Sequence, residues 1–292
     1  MGVPKLDPRR LIAPRLSLTA SGTANTLRGA GQDRDATPPR RIVPGGARGP
    51  AGSLIWILRF GVAMEFIGHG ALGLNHPPAW VSYFAVLGIG QSFALRCMPF
   101  VGGLDILMGA LVLILPIRAV VGWMTFWGIW TAVLRPLAHE PFWEAVERAG
   151  NYGAPLALLA LLLWARETPH LSDQRRLSLG WVLRLTTALL LLGHGALGWP
   201  VHKAILAAHY AAVGLPAAIE PWIGVFEILL AAAVLVRPAA GLLWFVFAWK
   251  LATELLSPIS GAPFWVFVEH GGSYAAPLAL IWLTRSRTAR RV

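Results

Sequence analysis

Six side chains of this 292-residue sequence combine proton chemistry with surroundings in which charge is expensive: His69, Asp105 and Glu147, and again His194, Glu227 and Glu269. Each lies within or at the edge of an apolar run, where an ionisable group at the centre of a membrane-spanning helix costs about 2.5–3.5 kcal/mol on insertion scales. Imidazoles and carboxylates gathered in such a place can take up and release protons near neutral pH. The spacing puts His69 near the outer end of a first helix, Asp105 about five residues into a second, and Glu147 at the outer start of a fourth. His194, Glu227 and Glu269 repeat that order, so each half of the chain is expected to assemble one polar pocket. Tyr152 and Tyr274 on the fourth helices would join the pockets, and Trp143 and Trp265 would sit at their mouths or in an interfacial aromatic belt.

Plainer explanations compete for some of these residues. A helix N-terminus alone favours an acidic side chain at Glu147 and Glu269. The glycines around each histidine suit a packing contact as well as a flat ligand, because a missing side chain lets either come close. Asp105 and Glu227 are flanked on both sides by apolar residues and are harder to explain away. The halves also differ: Glu65 has Leu190 as its counterpart, and Lys250 and Glu254 form an i,i+4 pair with no charged equivalent in the first half.

The elements that must hold these groups follow from composition and self-similarity. Hydrophobic residues make up 56% and charged residues 13% of the chain, and the mean hydropathy is +0.59. That balance points to a bilayer as solvent. Apolar segments at 54–74, 100–116, 119–135, 147–165, 181–198, 222–236, 239–256 and 266–284 are near the length a helix needs to cross about 30 Å of hydrocarbon. GHGALG occurs at 68–73 and at 193–198, and PFWEAVERAGNYGAPLAL at 141–158 matches PFWVFVEHGGSYAAPLAL at 263–280 in 12 of 18 positions. Two matches in one order define a duplication, which also aligns Asp105 with Glu227, Trp127 with Trp249 and Thr131 with Thr253. The expected fold is an all-α integral membrane protein of eight transmembrane helices, built as two parallel four-helix-bundle repeats.

Residues 1–50 read as a disordered basic tail, 51–166 as the first unit, 167–180 as a linker, 181–285 as the second unit and 286–292 as a basic end. Arg and Lys gather in the tail, the linker, the C-terminus and the turns at Arg118 and Arg237, which places both termini in the cytoplasm at the inner membrane. The net charge of +11 therefore reads as a topology signal and not as a nucleic-acid footprint. Segments 79–98 and 203–219 are expected to lie along the outer surface. Cys97 is the single cysteine, which rules out an internal disulfide or a two-cysteine relay.

The GHGALG cluster, the outer-segment YFAVLGI, the acidic second helix GGLDILMGALVLILP and their second-half equivalents resemble the DoxX-like family of four-helix membrane proteins. The likeness covers about residues 54–284, once per unit; the tandem fusion and Asp105, where a glutamate is common, depart from the family pattern. The resemblance implies a membrane subunit of a quinone-linked redox system, with another polypeptide supplying or accepting electrons. Haem b held by His69 and His194 is a variant of that reading. The competing readings are a non-catalytic structural subunit of a larger membrane complex and a small-molecule or ion transporter.

Overall fold

The computed structural model describes residues 50–164 and 171–288, and these are helices joined by turns with no strand among them. The basic tail over 1–49, the linker residues 165–170 and the end at 289–292 lie outside the described residues. The first half contains α1 (Pro50–Leu74), α2 (Trp80–Val86), α3 (Gln91–Ile114), α4 (Arg118–Leu137), α5 (Phe142–Glu147) and α6 (Ala149–Trp164). The second contains α7 (Asp173–Gly198), α8 (Ala204–Ala211), a 3-10 turn at Ala217–Ile219, α9 (Glu220–Val236), α10 (Ala240–Ile259), α11 (Phe264–Glu269) and α12 (Gly271–Thr288).

Among the described residues, five segments are long and apolar enough to cross a membrane: Gly52–Leu74, Gln91–Ile114, Asp173–Gly198, Ala217–Val236 and Ala240–Ile259. Their outward faces carry large apolar side chains, Phe100, Ile114, Trp222 and Val236 among the most exposed, as suits helices solvated by lipid. α6 is 16 residues long, about 24 Å at 1.5 Å per residue, short of a full crossing.

The helix boundaries differ from those read off the apolar runs. The expected linker over 167–180 ends early, because Ser172 accepts from the Arg175 amide and caps α7 from Asp173 onward. The outer segments are shorter than expected: α2 and α8 end at Val86 and Ala211, and the chain then turns into α3 and α9 through Gly88 and Gly214, both at positive φ. The helix expected at 266–284 is two helices, and a short helix also precedes the one expected at 147–165. α5 and α11 both start after a proline N-cap, Pro141 and Pro263, and the chain breaks at Arg148 and His270 before α6 and α12 begin.

α1, α6, α7 and α12 pack together at the centre, with α3 against α1, α9 against α7, α4 against α6 and α10 against α12. Leu58, Val62, Leu158, Leu183, Leu190, Ala276 and Leu280 are buried there. Two arginines cap helix ends: Arg59 Nε donates to the Val112 carbonyl at 2.9 Å and Arg184 Nε to the Val234 carbonyl at 3.0 Å. These carbonyls belong to the last turns of α3 and α9, whose final C=O groups have no partner within the helix. Each guanidinium also lies over a tryptophan one turn earlier, Trp56 or Trp181.

Candidate functional site

In the first half, α1 and α3 touch through their backbones. A methyl on Gly70 would fall 2.4 Å from the Gly102 carbonyl oxygen, so only glycine permits this crossing. The contact brings His69 and Asp105 within reach, and His69 Nδ1 lies 2.7 Å from Asp105 Oδ2. A buried carboxylate on one ring nitrogen fixes the tautomer and orientation of an imidazole. Trp80 of α2 stacks on the His69 ring with centroids 4.5 Å apart. Beside this pair is a cavity of about 90 Å³ lined by His69, Trp80, Tyr83, Trp127, Trp130 and Glu269, with Arg148 at its wall. By the usual measure of 10–15 Å³ per water, it holds roughly half a dozen waters or one small ring. Tyr83 contacts Glu140, whose other oxygen receives Arg135 at 3.0 Å. Burial is the main cause that pushes the Tyr83 phenol up to about 12.

The second half repeats this geometry with one change. A methyl on Gly195 would meet the Gly224 carbonyl at 2.6 Å, and His194 Nδ1 pairs with Glu227. The second oxygen of Glu227 receives the Trp249 indole N–H at 2.8 Å. In the first half the corresponding atoms, Asp105 Oδ1 and Trp127 Nε1, are buried and have no hydrogen-bond partner among the described residues.

Glu147 and Glu269 are the last residues of α5 and α11 and do not sit in the pockets of their own halves. A methyl on Gly68 would fall 2.3 Å from the Glu269 amide nitrogen, and one on Gly193 would fall 2.2 Å from that of Glu147. Each half therefore seats its glutamate against the histidine-bearing helix of the other half, and Glu269, not Glu147, lines the His69 cavity. Between the two histidine pairs runs a buried row of charges. Arg148 Nη1 lies 2.8 Å from Glu269 and its Nε 3.3 Å from Glu147. His270 Nε2 is 3.5 Å from both Glu147 and Glu254, and Lys250 Nζ is 2.5 Å from Glu254. Ligand atoms of Glu147, Glu254 and His270 converge within 4.8 Å, a spacing that could hold a metal ion. The Lys250 ammonium, fully buried and in contact with Glu254, already places a cation there.

The two tyrosines sit otherwise than expected. Tyr152 and Tyr274 donate to the carbonyls of Ala145 and Phe267 at 3.4 and 2.9 Å, bracing the short helices instead of facing the cavity. Trp143 packs on Leu197, Leu206 and Tyr210, and Trp265 is largely exposed. The cavity's aromatic wall is Trp80, Tyr83, Phe84, Trp127 and Trp130. Arg148 and His270 went unread in the sequence, although they occupy aligned positions directly after the repeated glutamates. An Nδ1 held by a carboxylate would also suit an iron ligand. Searches against family models, curated proteins and solved structures returned no match.

Proposed function

We propose that this chain is a membrane subunit of a quinone-linked redox system, with eight spans arranged as two parallel DoxX-like units and both termini in the cytoplasm. The observation that carries this reading is the cavity in which the His69–Asp105 pair faces an aromatic wall, with Glu269 and Arg148 alongside. A bound quinone would supply the two-electron, two-proton chemistry. The protein's share is to hold the ring between Trp80 and Trp127 and to move protons at His69. Asp105 keeps Nδ1 of that imidazole engaged, so Nε2 is the nitrogen that gives or takes the proton. Glu269, seated from the other half and paired with Arg148, presents a carboxylate to the ring. α4, α5 with α6, and α11 with α12 supply the spans beyond the five most apolar helices, and electrons would come from a separate polypeptide.

A second reading, transport of protons or ions, draws on the buried charge row from Glu269 to Lys250, because charges inside a bilayer often mark a pathway. The test is to purify the protein in mild detergent, extract it with organic solvent and record a visible spectrum. Co-purified quinone without a haem band is expected. A quinone-free, colourless preparation that carries current in liposomes would replace the redox reading with transport.

A further inference from the structure

We infer that the end of the second half remote from His194 carries a binding groove for an anionic phospholipid, with the phosphate on Arg184 and Arg176 and an acyl chain along α7. The inference stands apart from the quinone reading and needs only that α7 spans a bilayer, as its length and composition allow. The groove measures about 550 Å³, within the range of about 300–1,000 Å³ usual for ligand sites. Leu280 and Leu283 form its buried floor, Gly180 and Pro238 its walls, and Leu177 and Trp181 its exposed lip. Aligned residues in the first half take up this space. Ile55 stands where the second half has Gly180 and packs on the core. Arg118 reaches across to the Leu162 carbonyl at 2.9 Å, where the second half has Ala240 and Thr284.

Charge and exposure identify the occupant. Arg176, Arg184 and Asp173 line the groove, so two guanidiniums stand against one carboxylate and the site is net positive. Asp173 lies in the first turn of α7, where the positive end of the helix already favours it. Arg184 commits Nε and Nη2 to the Val234 and Leu235 carbonyls, and its Nη1 donors, which have no partner among the described residues, remain for an oxyanion. Arg176 Nη1 donates to the Leu283 carbonyl at 3.3 Å, which holds the second guanidinium at the floor. The planar fork of N–H donors on each suits a phosphate. The lip decides between a soluble anion and a lipid. Leu177, Trp181 and Leu185, spaced four residues apart on one face of α7, are 49%, 45% and 46% exposed. They form an apolar track from the groove toward the middle of the bilayer. A free phosphate leaves that track bare, whereas an acyl chain covers it.

The experiment is native mass spectrometry of the full chain, delipidated in mild detergent and titrated with dioleoylphosphatidylglycerol, dioleoylphosphatidylcholine or inorganic phosphate, on the wild type, G180I and R176Q. One tightly held phosphatidylglycerol is expected, bound at least about tenfold more strongly than phosphatidylcholine. G180I introduces the bulk that the first half has at Ile55 and should lose that preference while keeping both arginines. Its first added atom meets only Leu283 Cδ2, at 3.6 Å, an ordinary contact, so the fold should persist. R176Q should weaken phosphatidylglycerol at least about threefold and leave phosphatidylcholine unchanged. A wild type that binds the two lipids equally overturns the inference, and so does a folded G180I that keeps the preference. If G180I does not fold, R176Q decides, and phosphatidylglycerol binding equal to that of the wild type overturns the inference. Inorganic phosphate that displaces phosphatidylglycerol at equal concentration assigns the groove to a free anion and ends the lipid assignment.

Discussion

The Gly68→Ala variant tests whether the two halves are truly locked through their backbones. An added methyl at Gly68 would lie 2.3 Å from the amide nitrogen of Glu269, 2.7 Å from its Cα and 2.8 Å from the carbonyl carbon of Val268. Ordinary contacts are about 3.5–4.0 Å, so α1 or α11 must retreat by more than 1 Å, and no flexible side-chain tip is present to yield. Overpacking of this kind costs about 1–3 kcal/mol, and with three backbone atoms in the way the upper end applies. Helix propensity opposes it, since alanine is favoured over glycine by about 1 kcal/mol. Gly103→Ala is the control, because nothing lies within 4 Å of its added methyl. The expected result is a Gly68→Ala protein less stable than Gly103→Ala by about 3 kcal/mol, read from unfolding by SDS in mixed micelles. Gly68→Ala should also weaken ring binding, because displacing α11 moves Glu269 out of the cavity. Equal stability of the two alanine variants would refute the backbone contact and the crossing of glutamates built on it.

Two further outcomes follow from the charges. Arg148→Met strips Glu147 and Glu269 of their shared partner; removing one member of a buried ion pair costs about 3–5 kcal/mol. The same unfolding assay should show that loss, and R148M/E269Q should recover part of it. For Tyr83, the folded phenol ionises near 12 against about 10 in the unfolded chain. The folded state therefore holds its proton more tightly, and the stability this contributes is present below about pH 10 and fades as pH rises towards 12. Melting midpoints between pH 8 and pH 11.5 should fall less steeply in Tyr83→Phe than in the wild type.

The pairing of His69 with Asp105 and of His194 with Glu227 was legible because hydropathy fixed the helices and an isolated carboxylate in an apolar helix needs a partner. The glycine pairs that allow it were legible as small residues, but whether they faced protein or ligand was not. The residues at the break after each short helix were misread for a definable reason. In the second half an apolar run continues through His270, so hydropathy joins α11 to α12, whereas the turn at His270 divides them; in the first, the charges at Glu144, Glu147 and Arg148 hide the short α5 ahead of the run. The exchange of Glu147 and Glu269 leaves no periodic trace at all, since it depends on which half each short helix touches. Tyr152 and Tyr274 looked like pocket residues for the same reason: their partners seven residues earlier lie across a break that the apolar pattern conceals.

On the proposal that the chain is two fused units, the places where the units differ explain what fusion adds. A symmetric dimer of one unit would present two identical crossings, yet here Gly61 meets Ala275 while the equivalent crossing sets Thr186 against Gly153. The larger residue has moved to the other partner at each crossing, a compensation two identical chains cannot make. The same holds around the sites. Gly128 lets α4 approach the Asn151 carbonyl so closely that an added methyl would fall 2.3 Å from it. Its counterpart is Lys250, fully buried and paired with Glu254 where the first half has Ala132. A lysine at both positions would destroy the α4–α6 contact, and a glycine at both would leave Glu254 without its nearest cation. Joining the units in one chain thus permits a charged, closed side and an aromatic, open side. Because the glutamates cross, the open His69 side still depends on α11 of the other half for Glu269.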